Sequence, residues 1–318
     1  MNNIGYKEAA ALLWERNGFV VFTHANPDGD TVGSAAALVR GLRKIGKSAV
    51  AVCADPLPEK LKFLDCDGIF TWEMPASIET AVAVDVASAA MLGSLGEFVT
   101  SRQFDLAFDH HKVSTLPTQN RLLKAEYIAN GEIIFELLPH LGVELDKDIA
   151  EALYTAICSD SGGFRYSNTR AETYEYGGAL LRTGIDFAAI NRRLFEEKTA
   201  SQIALEKAAY NALRFSCDGR LAVVAIDADT VRETGAAESD FDSVNQIPRQ
   251  IKGVEVSALI RPKGEDVKVS LRSNKYFDVA EFAKRYGGGG HLHAAGYKYP
   301  GTVNEAAEAL IKEMDGCL

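Results

Sequence analysis

Apolar residues along this chain fall into short continuous runs separated by stretches with helical spacing. Residues 6–16 place Ala9, Ala10, Leu12 and Leu13 on one face, and Gly18 closes that pattern before the run Phe19-Val20-Val21-Phe22. A short apolar run bounded by turn residues reads as a strand buried on both faces. The spacing then predicts a helix from Val32 to Ile45 stopped by Gly46, and a strand over 48–53. A short helix opened by Pro56 and Pro58 should end near Leu64, followed by strands over 80–84 and 104–108. Strands alternating with helices imply right-handed β-α-β units and a mostly parallel sheet.

From about residue 130 the pattern is helical, over 131–141, 148–158, 171–183, 186–194 and 199–214. A second strand-rich region follows at 220–226, 254–260 and 267–271, with a helix near 278–285. Four glycines (287–290), a strand over 294–299 and a closing helix over 303–314 complete the chain. The expected class is α/β: an N-terminal parallel sheet with helices on both faces, plus a smaller C-terminal α/β domain. The expected bounds are 1–188 for the first domain, 189–215 for a helical connector and 216–318 for the second. There is no internal repeat and no low-complexity linker.

Composition changes this picture little. The 318 residues are 47% hydrophobic and 25% charged, as in an ordinary globular protein of about two domains. No apolar run is long enough to cross a membrane, and the start lacks the pattern of a signal peptide. Five cysteines (53, 66, 158, 217, 317) without a C-x-x-C pair argue against a disulfide framework or zinc knuckle and suit the cytoplasm. A net charge of −10 argues against stable binding of duplex DNA, while 34 Lys and Arg leave room for a local basic pocket.

The candidate chemistry sits just after the apolar runs. His24-Ala25-Asn26-Pro27-Asp28-Gly29-Asp30 follows the first strand, Asp85 the third, Asp109-His110-His111 the fourth, and Asp160 the helix over 148–158. Ligands of parallel sheets bind outside the carboxyl ends of the strands, where His24, Asp85 and Asp109 are expected. Two divalent ions need a bridging carboxylate and further oxygen or imidazole ligands. His24, Asp28 and Asp30 can serve both ions if Gly29 turns the chain sharply between the carboxylates, and Asp85 is placed to bridge. Taken singly, each cluster has a plainer reading. Asp28 fits a helix N-cap, Asp85 a cap for a helix near 88–94, and His110-His111 a solvated pair. Asp160 alone would open a turn with Ser161-Gly162-Gly163. Four such clusters in one order are not four separate caps. His140 has no motif around it and reads as a helix-end residue.

With these residues the chain resembles the DHH phosphoesterases. His24 through Ser34, Val84-Asp85, Asp109-His110-His111 and Ser159-Asp160-Ser161-Gly162 resemble that family's four motifs. Gly287 to Gly290 with His291 and Ala294-Ala295-Gly296 resemble the glycine-rich signature of its associated C-terminal domain. The resemblance implies that His24, Asp28 and Asp85 hold one ion, and that Asp30, Asp85, His110 and Asp160 hold the other. Manganese is the expected metal, with magnesium or cobalt as alternatives. His111 would face the phosphate, and Asp109 would orient the imidazoles. Arg272, Gly288, Gly289, Gly290 and His291 would grip the substrate, with His293 in a looser position and the second domain closing over the first.

Among family members this compact chain looks most like the nanoRNases. That type removes mononucleotides from very short RNAs and dephosphorylates 3′-phosphoadenosine 5′-phosphate (pAp). The alternative is a phosphodiesterase for cyclic or linear dinucleotides. Less expected are a single-strand exonuclease of the RecJ type, a family pyrophosphatase (which has a different second domain) and a non-catalytic nucleotide sensor. The expected partners are short single-stranded RNA or nucleotides, with no membrane. The apolar helix faces over 171–214 are expected to serve either as core or as the contact of a homodimer.

Overall fold

The computed structural model describes residues 2–264 and 266–318; Met1, with which the first expected domain opens, and Glu265 lie outside the described residues. The chain divides into two compact units, Met1–Glu197 and Lys198–Leu318.

The first unit begins β1 (Asn2–Asn3), α1 (Tyr6–Glu15), β2 (Phe19–Phe22), α2 (Gly29–Lys44), β3 (Ala49–Val52), β4 (Phe70–Thr71) and β5 (Thr80–Val84). It continues α3 (Phe98–Ser101), β6 (Phe104–Asp109), β7 (Thr118–Leu123), α4 (Asn130–His140), α5 (Lys147–Asp160), α6 (Ala171–Leu181) and α7 (Phe187–Asn191). Seven strands form one parallel sheet in the order β1-β7-β6-β5-β2-β3-β4. Chain order reverses between β2 and β5. Crevices at such reversals are where open α/β sheets bind ligands.

Both sheet faces are covered, which is why the strands read as continuous apolar runs. Phe19 and Val21 of β2 pack with α1, α2, α4 and α5, whereas Val20 and Phe22 pack with Phe104, Leu92 and Phe98 on the other face. β7 escaped the apolar pattern because Thr118-Gln119-Asn120-Arg121 is polar, yet it extends the sheet beyond β6.

α2 and α5 pack at backbone distance. A Cβ on Gly33 would stand 2.3 Å from the Ala152 carbonyl oxygen, and one on Gly29 2.5 Å from the Ser159 Cβ. This corrects the role expected for Gly29. It is the first residue of α2, not a sharp turn, and it is glycine because Ser159 leaves no room for a side chain. The contact draws the N-terminus of α2, with Asp28 and Asp30, toward the C-terminus of α5, with Asp160.

The second unit runs α8 (Ala200–Asn211), β8 (Leu213–Ser216), β9 (Leu221–Ala225), α9 (Ala228–Thr234), α10 (Phe241–Arg249), β10 (Val256–Lys263) and β11 (Asp266–Ser273). Then come α11 (Val279–Lys284), β12 (Gly289–His291), β13 (Ala294–Tyr299) and α12 (Val303–Met314). Its six strands lie in the order β12-β13-β11-β10-β9-β8, antiparallel except for β9 with β10. One face packs on α11 and α12 through Val223, Ile260, Val269, Leu271 and Phe282. On the other, α8 and α10 cover Val224 and Leu259 of β9 and β10. β11, β13 and β12 turn polar or small residues to that side: Lys268, Ser270, Arg272, Ala294, Gly296 and His291. α9 and α10 fill 228–249, where no element was expected; α9 is capped by Asp227, and α10 buries Phe241, Val244 and Ile247 along one face, with Pro248 inside the helix.

Candidate active site

The chain leaves β2 through Thr23 and turns at Asn26, whose φ of 52° suits asparagine. His24 is anchored by its Nδ1, 2.8 Å from the Ala25 carbonyl oxygen. A carbonyl only accepts, so Nδ1 carries the proton and the lone pair of Nε2 faces the site. That Nε2 lies 3.5 Å from Oδ1 of Asp28 and 3.5 Å from Oδ2 of Asp85. Asp28 is also the N-cap of α2, accepting the N–H groups of Asp30 and Thr31 at 3.0 and 3.1 Å. The cap reading and the ligand reading therefore hold for one residue.

Asp30, read as a loop residue, lies in the first turn of α2 and is fully buried. Its carboxylate receives the N–H of Asn130 at 2.6 Å and of Gly131 at 2.9 Å, at the N-terminus of α4. A helix N-terminus favours an anion in this position. Ser34 adds a hydroxyl donor at 3.1 Å.

Asp85 follows β5 at φ 58°, a left-handed backbone on a buried non-glycine residue. Its two oxygens face opposite ways. Oδ2 points to His24, and Oδ1 lies 3.3 Å from His110 Nε2 without a properly formed hydrogen bond of its own. His110 is fixed like His24, with Nδ1 donating to the Tyr127 carbonyl at 3.2 Å. Its Nε2 also lies 3.6 Å from Asp30 and 3.8 Å from Asp160. Asp109 orients one imidazole, not two: its Oδ1 accepts the backbone N–H and Nδ1–H of His111 at 3.1 and 2.7 Å. Tyr127 does that service for His110.

Three sets of side chains thus have ligand atoms within 4.8 Å of one another: His24, Asp28 and Asp85; Asp30, His110 and Asp160; and Asp85, His110 and His111. Separations of 3.3–3.8 Å between Nε2 and carboxylate oxygens are long for hydrogen bonds. They suit ligands sharing one ion, since bonds of about 2.1 Å at octahedral or tetrahedral angles set neighbours about 3.0–3.4 Å apart.

Among the described residues no lysine or arginine pairs with Asp28, Asp30, Asp85 or Asp160. Protons gather on two of these carboxylates, whereas at Asp28 burial is outweighed by the hydrogen bond to His24, which holds it below the usual carboxylate range. Burial, then the charges of Asp85 and Asp160, raise Asp30 well above the carboxylate range, and burial with Asp28 and Asp85 lifts Asp160 to about 7. Burial opposes charge on the imidazoles, but the carboxylates prevail and push His24 up to about 11 and His110 to about 10. The hydrogen bond to Asp109 raises His111. Oxygen and imidazole donors, with no thiolate, fit manganese, magnesium or cobalt.

In the second unit Arg272 pairs with Ala294, and Ala294 with His291, so Arg272 and His291 stand in one row across three strands. Burial, then nearby Arg249, lowers the Arg272 pKa. The four glycines are not alike. Gly287 ends α11 at φ 71°, with its N–H bonded to Lys284 and that of Gly288 to Ala283, a helix stop. A Cβ on Gly288 would stand 2.3 Å from the Gly296 carbonyl oxygen, and one on Gly290 equally close to that of Ala294. Gly289 alone has neither a positive φ nor a neighbour within 4 Å of where a Cβ would sit. It lies on the edge strand in register with Gly296 and Ser270, on the side of Arg272. His293 bonds Ser273 at 2.9 Å and ties the hairpin to β11, while His140 ends α4 stacked on Tyr6.

Sequence reasoning missed Tyr127, Asn130 and Gly131. The first acts through its carbonyl, which no residue type announces. The other two were in view as the start of the helix over 131–141, and a helix start is a site for an anion.

The model for the DHH family, N-terminal domain, matches residues 18–157, and that for the DHHA1 domain residues 218–318. The bifunctional oligoribonuclease and PAP phosphatase NrnA of Thermus thermophilus is 31% identical over 92% of this chain and 88% of its own length. A Streptococcus mutans protein named probable manganese-dependent inorganic pyrophosphatase is 29% identical over 58% of this chain and 63% of its own. The crystal structure of an exopolyphosphatase-related protein from Bacteroides fragilis shares the fold, with a TM-score of 0.88, 23% identity, and coverage of 98% of this chain and 97% of that one. With both domain models matched in order, and a relative aligned along nearly its whole length, this chain belongs to the DHH family of phosphoesterases and carries a DHHA1 domain.

Proposed function

We propose that this protein hydrolyses short oligoribonucleotides to mononucleotides and dephosphorylates pAp, using two divalent ions, manganese foremost. The observation that carries the two-ion reading is Asp85, whose Oδ2 faces His24 while its Oδ1 faces His110. His24, Asp28 and Asp85 would hold one ion, and Asp30, Asp85, His110 and Asp160 the other. The Thermus thermophilus relative supports the substrate class, and the Streptococcus mutans relative's name supports manganese.

Bound ions would supply a water acidic enough to attack near neutral pH, and positive charge against that building on the phosphate. The chain supplies the rest. Asp28, Asp30, Asp85 and Asp160 offset the charge of the ions, and the backbone of Ala25 and Tyr127 keeps His24 and His110 from rotating. His111 is the most exposed of the three imidazoles, and Asp109 keeps it oriented and favours its proton. It can donate a hydrogen bond to a phosphate oxygen or a leaving oxygen. In the second unit, Arg272 would fork onto a phosphate oxygen of the substrate, with His291 beside it and bare Gly289 letting the ligand approach the sheet edge. Five free cysteines suit the cytoplasm, and among the described residues no helix is long and apolar enough to cross a membrane.

The test compares manganese-dependent hydrolysis of an RNA dinucleotide, pAp, cyclic di-AMP and a 24-nucleotide RNA. Fast turnover of the first two is the expected result. Preference for cyclic di-AMP would move the protein into dinucleotide signalling, and metal binding without turnover of any of the four would leave a sensor.

A further inference from the structure

Asp30, His110 and Asp160 are tied to a fully buried carboxylate that belongs to none of the ligand sets. Glu132, in the first turn of α4, accepts the Ile128 N–H at 3.1 Å and Arg170 Nη2 at 3.0 Å through Oε2, and the Thr173 hydroxyl through Oε1. The segment it pins, 127–131, makes both backbone contacts to the second ligand set. The Tyr127 carbonyl holds His110, and the N–H groups of Asn130 and Gly131 hold Asp30. The Arg170 guanidinium also lies over the Tyr127 ring, 4.2 Å from its centre.

Arg170 and Thr173 stand at the start of α6, at the far end of the segment that leaves α5 after Asp160. One carboxylate therefore joins the turn that holds Asp30 and His110 to the chain that issues from Asp160. The first set is held elsewhere: His24 by Ala25, and Asp28 by the N–H groups of its own helix. Nothing in that anchoring reaches Glu132. A buried ion pair is a poor stabiliser compared with apolar packing of the same volume, so stability alone is a weak reason to bury this one.

We propose that Glu132, with Arg170 and Thr173, is a positioning group for the ion of Asp30, His110 and Asp160 alone. It sets the affinity of that site while touching neither metal nor substrate. The proposal rests on the two-ion reading above.

The full-length protein and three variants would be titrated with manganese, following binding by calorimetry and ion coupling by electron paramagnetic resonance. Thr173→Val removes the hydroxyl at constant shape, Thr173→Ser restores it, and the double variant Glu132→Gln/Arg170→Met removes the charge pair together, so that neither charge is stranded. Wild type should bind two ions with a spin-coupled spectrum. Thr173→Val and the double variant should weaken one ion by about 10–100-fold and spare the other, so that at limiting manganese the spectrum becomes that of an isolated ion. Thr173→Ser should match wild type. Two ions that weaken together, or an unchanged titration in variants that melt cooperatively, overturn the proposal and leave the two-ion reading standing. A single ion in wild type overturns both.

Discussion

Around Asp85 the side chains are largely buried and engaged before any ligand arrives. Two imidazoles are locked by carbonyl groups, one carboxylate caps a helix, and another sits on a helix N-terminus. Along the row from Arg272 to His291 the reverse holds. His291 and Gly289 are exposed, and Arg272 donates to the carbonyl of its own neighbour, Leu271, at 2.9 Å. The first region is paid for in folding and organised in advance; the second, in its proposed role, would take its order from the ligand. An ion bound at about 2.1 Å tolerates little error in its ligands, whereas a family of short nucleotides asks for a surface that adapts.

The contrast is broken most severely at Asp85. Asp85→Ala should lower kcat by on the order of 10³-fold or more, because one carboxylate serves both ligand sets. Near wild-type turnover would sink the two-ion reading. In the second region the expected loss is smaller and of another kind. Arg272→Ala should raise KM for pAp by about 10–100-fold, the worth of a charged hydrogen bond, with a lesser change in kcat. A pure kcat effect would place the arginine at the reacting phosphate instead.

Acidity sharpens the difference next. In the metal-free chain His24 and His110, pushed up to about 11 and about 10, keep protons that unfolded histidines release above 6.5. Asp160 likewise holds its proton up to about 7. The stability the two histidines contribute is therefore present below pH 6.5 and lost as pH rises toward 10, whereas that of Asp160 is already lost between about 3.8 and about 7. Ions displace the same protons, so metal binding tightens over that range. Melting temperatures measured in EDTA should fall from pH 6.5 to 9, and those in excess manganese should rise. Parallel trends would mean that the carboxylates and imidazoles do not share protons as described.

The smallest effect separates neighbouring glycines. Gly288→Ala should cost about 1–3 kcal/mol of stability by forcing a Cβ against Gly296. Gly289→Ala should leave the melting temperature within a degree or two and raise KM several-fold. An unchanged KM would remove Gly289 from the substrate surface.

How much of this was legible depends on what kind of group acts. β2, β5 and β6 announced themselves as apolar runs, and their carboxyl ends carried His24, Asp85 and Asp109 to one edge. Polar β7 did not, because its place at the side of the sheet is set by pairing with β6 and β1. Asp30 was recognised by type but misplaced in a loop, since nothing local shows that α2 begins at Gly29 under pressure from Ser159. The glycine run was legible as a motif; its division into a helix stop, two close contacts and one open position appears only when β12 is laid against β13. Tyr127 was invisible for a simpler reason. Every residue has a carbonyl, and only the fold chooses which one meets His110.

The backbone at Asp85 bears on how this protein should be engineered. Its φ of 58° costs an aspartate about 1 kcal/mol that glycine would not lose, and its carboxylate is buried among three others, offset by His24 and His110 while these keep their protons. In EDTA the melting temperature of Asp85→Gly should therefore gain on that of wild type as pH rises and the imidazoles lose their protons, with the variant inactive throughout. A screen for heat-resistant variants run in alkaline metal-free buffer would enrich for dead enzymes. The same screen run in manganese would charge such variants for the ions they no longer hold, and would keep the aspartate.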